Sequence, residues 1–264
     1  MNRIHPTALL GKDVKLGDNI DIGPYAVIDG NVEIGDGCVI GPSVYITGWV
    51  KLGLKNRIYP FTAIGTPPQD YSFGGEPGLI LIGDNCMIRE GASIHTPVHG
   101  DQGSQTVVGN NVFLMGNSHV AHNANVGDNC QLVQGAALGG YVILEHDVII
   151  GGNTGIHQNC RIGAYSMIGA LSKASQDVPP YMLADGSPVI GYGLNSVGLK
   201  RKGIGQEERS KIKEAYQILF SGKSRKEALV ECRIKFPEGK VSVLIDNLIK
   251  FIEASKRGTI SYHE

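Results

Sequence analysis

The chain has 264 residues, of which 42% are hydrophobic and 19% charged, enough apolar material for a sizeable core. Lys and Arg number 24 and Asp and Glu 25, and the net charge of -1 argues against a nucleic-acid partner, since nonspecific polyanion binding needs surplus basic residues. No stretch reaches the roughly 18 consecutive apolar residues of a membrane span, and the N-terminus lacks the apolar core of a signal peptide. We therefore expect a cytoplasmic protein without an integral membrane segment.

A repeat of six residues runs through most of the chain. Aliphatic residues recur every sixth position in three blocks, from Ile4 to Ile64, Ile82 to Ile94 and Val108 to Ile168, which give 25 hexads. This period fits neither a helix nor an alternating hairpin, but it suits a short strand plus a turn repeated around a common axis. The sequence therefore predicts a parallel β-helix of hexapeptide repeats over residues 1–190, with about eight three-sided coils.

Two insertions interrupt the repeat, at residues 66–81 and 96–107. Both are rich in Gly, Pro and polar residues. Insertions in a solenoid emerge as loops on one face, which is often the binding face. We expect these loops to contribute to a site, with simple surface decoration as the alternative.

Four of the five cysteines occupy equivalent positions of the repeat, four residues after an aliphatic one: Cys38, Cys86, Cys130 and Cys160. Side chains at equivalent positions along a prism indicate inward packing. The sequence has no CxxC pair that would favour a metal site or a redox disulfide.

Past residue 179 the repeat ends and the spacing becomes helical. Ile212, Tyr216 and Leu219 mark one face of a helix that opens near Gln206, and further apolar faces follow it. The sequence predicts a small α-helical C-terminal domain over residues 191–264.

Three histidines are candidates for chemistry. His122 and His157 fall within one residue of the same column, two coils apart, and His119 lies near them. A narrow prism has little interior space, so a site lies on an outer face or between the prisms of a threefold ring. The spacing of His119 and His122 differs from that of the zinc-binding hexapeptide carbonic anhydrases, so we expect no metal. General-base catalysis by a neutral imidazole is the alternative to a purely surface role.

Several motifs together resemble one family, the acyl-ACP:UDP-N-acetylglucosamine O-acyltransferases. They are Gln69-Asp70, Gly75-Glu76-Pro77, Asn117-Ser118-His119-Val120-Ala121-His122, His157-Gln158, Gln176-Asp177-Val178-Pro179-Pro180-Tyr181 and Gly193-Leu194-Asn195-Ser196-Val197-Gly198-Leu199-Lys200-Arg201. The resemblance implies a left-handed parallel β-helix, a homotrimer, and transfer of a 3-hydroxyacyl chain from acyl carrier protein to the 3-position of UDP-N-acetylglucosamine, the first step of lipid A biosynthesis. It implies no cofactor.

The resemblance also implies roles for individual residues. His122 matches the general base, and Gly140 matches the residue whose backbone N–H stabilises the oxyanion. The substrate-binding residues that it implies are Gln69, Asp70, His119, His157, Gln158, Asn195 and Arg201. Met167 and Ala170 match the region that limits acyl length.

Three positions depart from the family pattern. Ser72 replaces a Lys, Tyr141 replaces a His, and Asn123 replaces an Asp after the base histidine. These changes leave other functions open: transfer to the 3-amino group of an amino-sugar analogue, a different hexapeptide acyltransferase, or a noncatalytic scaffold. The related N-acyltransferase normally carries a domain before its hexads, whereas the hexads of this chain begin at Ile4.

Overall fold

The computed structural model describes residues 1–76, 78–98, 104–239 and 241–262. Within these residues the chain forms 28 strands and four helices. The strands are β1 Arg3–Ile4, β2 Leu9–Leu10, β3 Lys15–Leu16, β4 Asp21–Ile22, β5 Val27–Ile28, β6 Asn31–Ile34, β7 Val39–Ile40, β8 Tyr45–Ile46, β9 Trp49–Leu52, β10 Arg57–Ile58, β11 Ala63–Thr66, β12 Leu79–Ile82, β13 Met87–Ile88, β14 Ser93–His95, β15 Gln105–Val108, β16 Phe113–Leu114, β17 His119–Val120, β18 Asn125–Val126, β19 Gln131–Leu132, β20 Ala137–Leu138, β21 Ile143–Leu144, β22 Ile149–Ile150, β23 Gly155–Ile156, β24 Arg161–Ile162, β25 Met167–Ile168, β26 Lys173–Ala174, β27 Met182–Asp185 and β28 Ile190–Leu194. The helices are α1 Ser196–Arg201, α2 Gln206–Leu219, α3 Arg225–Lys235 and α4 Val243–Ala254.

Successive strands pass to three sheets in turn, so that every third strand pairs in parallel. The first sheet runs from β1 through β4 and β7 to β25, β27 and β28, the second from β2 to β26, and the third from β3 to β24. In the regular coils a residue pairs with the one 18 positions later, as Arg3 does with Asp21. The result is a three-sided prism whose corners are turns.

The aliphatic residues of the repeat fill the prism interior. Ile28, Ile46 and Ile64 are fully buried, in step with the predicted period. Ile4, by contrast, remains 40% exposed because it belongs to the first coil, at the end of the stack. The predicted inward cysteines are buried, unpaired thiols, and burial raises the pKa of Cys86 to about 11.

The two insertions leave the prism after strands of the second sheet. β11 ends at Thr66 and β12 begins at Leu79, while β14 ends at His95 and β15 begins at Gln105. The predicted insertion bounds thus include the end of β11 and three of the four residues of both β12 and β15, since these strands are longer than the usual two residues. Pro77 and residues 99–103 lie outside the described part of the chain.

A hairpin joins the prism to the helices. β28 pairs antiparallel with β27, so a strand occupies residues 190–194, and the first helix begins at Ser196, past the predicted boundary. The helices dock on the last coil through buried polar contacts: Asp177 Oδ2 accepts from Ser255 Oγ at 2.7 Å, and Tyr181 Oη donates to the Leu244 carbonyl at 3.0 Å. None of the four helices is long and apolar enough to cross a bilayer, a statement limited to the described residues.

Candidate active site

Seven of the predicted site residues line one cleft of about 450 Å³ at the corner between the second and third sheets: Gln69, Asp70, His119, His122, Gly140, His157 and Gln158. The coil spacing explains why they meet. His122, Gly140 and Gln158 are 18 positions apart, so they stack at the same corner of three successive coils. The first insertion adds Gln69 and Asp70 from the side.

His122 lies at the centre of the cleft and is only 7% exposed. Its Nδ1 lies 2.9 Å from Oδ1 of Asn123, and its Nε2 lies 3.6 Å from Oδ2 of Asp70. The ring of Tyr141 meets the imidazole edge to face, with the centroids 5.3 Å apart. Three neighbours therefore fix the imidazole, and Tyr141 is one of them.

Gly140 packs directly against the base. A Cβ atom at this position would lie 2.5 Å from Nε2 of His122, closer than van der Waals contact permits. Within the part of the chain that the structure describes, the Gly140 N–H donates no hydrogen bond. The backbone N–H of Gly140 is therefore a free donor next to the imidazole. Any larger residue at position 140 would displace the imidazole.

Ser72 orients the carboxylate of Asp70. Both the backbone N–H and the hydroxyl of Ser72 donate to Oδ1 of Asp70, at 2.8 and 2.7 Å. The other oxygen, Oδ2, is the one that faces His122. Ser72 thus fixes Asp70 through a local turn, without adding a positive charge to the cleft.

His119 is held neutral beside the base. Its Nδ1 lies 2.8 Å from Ser93 Oγ, and burial, reinforced by the charge of His122, lowers its pKa. A second buried histidine, His95, packs edge to face on His119 with the ring centroids 4.7 Å apart. Burial first, and then the charges of His119 and His122, lower the pKa of His95 to about 4.

His95 also lines the cleft, although the motifs did not single it out. Its place directly after Ile94, an aliphatic position of the repeat, was the available signal, because Ala121 follows Val120 in the neighbouring coil in the same way. His157, on the opposite rim, lies 3.3 Å from Nη2 of Arg257, which follows α4.

The other four predicted residues lie outside this cleft. Asn195 caps α1: its side chain accepts from the Gly198 N–H and donates to the carbonyl of Tyr165, at the corner between the third and first sheets. Arg201 is the exposed last residue of α1, and its neighbour Lys202 pairs with Asp147 at that same corner. Asn195 and Arg201 thus lie at a different corner of the prism from the cleft.

The resemblance assigns Met167 and Ala170 to the limit on acyl length. Both lie past the edge of the second sheet that is farther from the cleft. Met167 is in β25 of the first sheet, and Ala170 lies exposed in the turn that precedes β26. β26 pairs with β23, whose Gly155 lines the cleft. A larger groove of about 750 Å³, between the third sheet and the segment after α4, contains none of the predicted site residues.

Comparison with protein-family models gives two matches. Residues 177–260 match the second domain of UDP-N-acetylglucosamine O-acyltransferases, and residues 13–48 and 105–140 match bacterial transferase hexapeptide repeats.

Curated relatives match over nearly the whole chain. An acyl-(acyl-carrier-protein)–UDP-N-acetylglucosamine O-acyltransferase of Aliarcobacter butzleri is 46% identical over 259 residues, which cover 98% of both chains. The enzyme of the same name from a Janthinobacterium species is 44% identical and covers 98% of this chain and 100% of its own.

Solved structures agree with these matches. The UDP-N-acetylglucosamine O-acyltransferase of Moraxella catarrhalis has a TM-score of 0.90 at 40% identity, covering 97% of this chain and 99% of its own. The UDP-N-acetylglucosamine acyltransferase of Francisella novicida has a TM-score of 0.91 at 34% identity, covering 98% and 94%. These likenesses confirm the predicted fold class, a left-handed parallel β-helix of hexapeptide repeats followed by a small α-helical domain.

Proposed function

The chain belongs to the family of acyl-(acyl-carrier-protein)–UDP-N-acetylglucosamine O-acyltransferases, and from this premise we propose the reaction of the site. It transfers a 3-hydroxyacyl chain from acyl carrier protein to the 3-hydroxyl of UDP-N-acetylglucosamine, the first step of lipid A biosynthesis. The relatives' names support this hydroxyl acceptor and not the 3-amino alternative. The observation that carries the mechanism is the contact of His122 with Gly140, which puts a base and a free backbone donor side by side.

The transfer is direct. Nε2 of His122 takes the proton of the sugar 3-hydroxyl while the hydroxyl oxygen attacks the thioester carbonyl carbon. The Gly140 N–H donates to the carbonyl oxygen as negative charge develops there. The C–S bond then breaks, and the imidazolium returns the proton to the departing thiolate, so the enzyme ends the cycle unchanged and needs no cofactor.

Asp70 assists His122 by stabilising its protonated form. With Oδ2 3.6 Å from Nε2, its carboxylate stabilises the imidazolium that forms during transfer. Gln69, beside it on the first insertion, and His119, His157 and Gln158 around the base position the sugar nucleotide and the acyl group. Their contribution is the alignment of the hydroxyl with the thioester.

The second sheet offers a surface for the acyl chain. Below His119, the outward-facing residues of the next two coils are Ala137 and Gly155, so small side chains line the column as far as Lys173 in the coil after them. This shelf leads away from the base toward the turn of Ala170. Met167 and Ala170 then limit the chain length at its far end.

The nucleotide contacts require a second copy of the chain. Asn195 and Arg201 lie by the corner of Tyr165 and Asp147, whereas the cleft is at the corner of His122. In a homotrimer Arg201 of one copy faces the cleft of another and binds nucleotide phosphate through its forked donors. The exposed basic side chains near Arg201 complement the negative charge of the acidic carrier protein. We place the reaction in the cytoplasm.

The test is product formation by the purified chain. We would incubate it with a panel of 3-hydroxyacyl carrier proteins and either UDP-N-acetylglucosamine or its 3-amino analogue, and identify products by mass spectrometry. An ester on the ordinary sugar supports the proposal. A product on the amino analogue alone contradicts the acceptor, and no product with either contradicts the reaction.

A pair of variants, one test and one control, examines whether His122 is the base. His122→Ala should lose at least about 100-fold in kcat while the assembly remains trimeric by light scattering. His5→Ala, in the exposed first coil, should retain turnover. Full activity of His122→Ala would assign the base elsewhere.

A further inference from the structure

We propose that Asn123 is a positioning residue, which holds His122 in the tautomer that carries its proton on Nδ1, and that the second insertion holds Asn123 in turn. The inference rests on the proposed role of His122 as the base. It assigns a function to Val98, Ser104 and Thr106 of that insertion.

The hydrogen bonds of Asn123 fix which way its amide points. Oδ1 accepts from the backbone N–H of Val98 at 3.0 Å, and Nδ2 donates to Oγ of Ser104 at 2.6 Å. Because a backbone N–H only donates, the amide atom that faces Val98 must be the oxygen. Ser104 completes a closed ring of three bonds by donating to the Val98 carbonyl at 3.1 Å.

The fixed amide determines the imidazole tautomer. The same Oδ1 lies 2.9 Å from Nδ1 of His122, and an amide oxygen only accepts. Nδ1 therefore carries the proton, and Nε2 keeps the lone pair that a general base needs. Without the ring of hydrogen bonds, the amide could turn, present its NH₂ group to Nδ1 and leave Nε2 protonated.

The backbone of Asn123 is anchored to the same insertion. Its N–H donates to Oγ1 of the fully buried Thr106 at 2.9 Å. Its φ is 58°, a left-handed conformation that Asn tolerates better than most residues. Val98, Ser104 and Thr106 together therefore fix both the main chain and the side chain of this one corner residue.

A neutral amide also leaves the charge of the site to other groups. The titratable groups that face His122 are Asp70 from the first insertion, His119 from β17, His95 from β14 and Tyr141 from the next coil. Asp70 is the carboxylate that pairs with His122 among the described residues. A second carboxylate at position 123 would stabilise the imidazolium and keep the base protonated to higher pH.

The first test is the pH profile of kcat/KM for UDP-N-acetylglucosamine. Asn123→Asp should move the acid limb up by about one pH unit, since an opposite charge this close favours the protonated imidazole. The matched control is Asn129→Asp, at another corner with the same φ of 58° and exposed to solvent, which should leave the limb in place. An unmoved limb in Asn123→Asp would overturn the proposal, because a merely structural asparagine has no influence on it.

The second test separates alignment from binding. Ser104→Ala frees the amide without touching His122 and should lower kcat by about tenfold with little change in KM, as should Asn123→Ala. Wild-type kcat in Ser104→Ala would contradict the proposal even if Asn123→Ala failed to fold. If His122→Ala in the same series kept its turnover, the base assignment itself would fall.

A third readout does not depend on turnover. In protein labelled with 15N-histidine, the ring shifts of His122 should report a proton on Nδ1, and in Asn123→Ala a mixture of tautomers. A proton on Nε2 in the unaltered chain would overturn the inference. If the chain formed no product but carried the proton on Nδ1, the proposed function would fail and the positioning by Asn123 would stand.

Discussion

Gly140 and His122 occupy the same corner of adjacent coils, and the imidazole fills the volume that a Cβ atom of residue 140 would take. The Cβ would lie 2.4 Å from Cε1 and 3.1 Å from Nδ1 of the ring. Because Asp70, Asn123 and Tyr141 surround the other sides of the ring, it has no space into which to retreat without losing a contact.

This relationship gives the first prediction. Gly140→Ala should lower kcat/KM by about 100-fold or more, because the methyl group displaces the base from the oxyanion donor. Gly116→Ala is the matched control, since its Cβ would make only an ordinary contact, 3.6 Å from the carbonyl oxygen of Glu90. Steady-state kinetics and thermal unfolding of both variants measure the effect, and equal activity of the two would contradict the packing argument.

The second prediction concerns the pH dependence of stability. His95 is buried with its pKa lowered to about 4, so the unfolded chain binds the proton more readily than the folded one. The free energy of unfolding should therefore fall as the pH drops from roughly 6.5 toward 4, by on the order of 3 kcal/mol from this residue alone. His95→Phe keeps the aromatic contact with His119 but cannot titrate, and should flatten that part of the curve.

Urea unfolding across this pH range gives the measurement. The control is His5→Phe, because His5 is exposed in the first coil and should leave the slope unchanged. If His95→Phe had the same slope as the unaltered chain, the buried neutral His95 would not be the cause.

The hexad period was sufficient to predict the prism and to bring His122 and His157 to one cleft, whereas Gly140 entered only through the family resemblance. A strict repeat converts sequence distance into position, so residues 18 apart share a corner. The hydrogen bonds of Asn123 were beyond this reasoning, since Val98 and Ser104 belong to an insertion that has no period. The hairpin of β27 and β28 was also missed, because the range predicted to be helical began at residue 191, inside β28.

The third prediction concerns the donor. Ala170→Gly should shift the preference toward longer acyl chains by a few-fold for each added methylene, in line with about 0.8 kcal/mol for each CH₂ that becomes buried. The ratio of kcat/KM for two carrier-protein donors that differ by two methylenes measures this shift, and a ratio cancels any loss of folded protein. An unchanged ratio would place the end of the acyl site elsewhere on the prism.

The fourth prediction concerns the attachment of the helices to the prism. Asp177 is 1% exposed and accepts from the Arg161 N–H at 2.9 Å as well as from Ser255 Oγ at 2.7 Å. Asp177→Ala leaves both donors without this acceptor and should lower the free energy of unfolding by about 2–4 kcal/mol. Ser255→Ala should cost less, about 1–2 kcal/mol, because Asp177 keeps its bond to the backbone.

Asp13→Ala, in an exposed turn of the first coil, is the control for the loss of a carboxylate and should stay within about 0.5 kcal/mol of the unaltered chain. Chemical denaturation followed by far-ultraviolet circular dichroism reports both the helices and the prism. Since α4 ends at the residue before Ser255, Asp177→Ala should lose its helical signal at lower denaturant than its β signal. Simultaneous loss at the unaltered midpoint would mean that the apolar contacts of Tyr181 and Phe251 hold the helices without help from this pair.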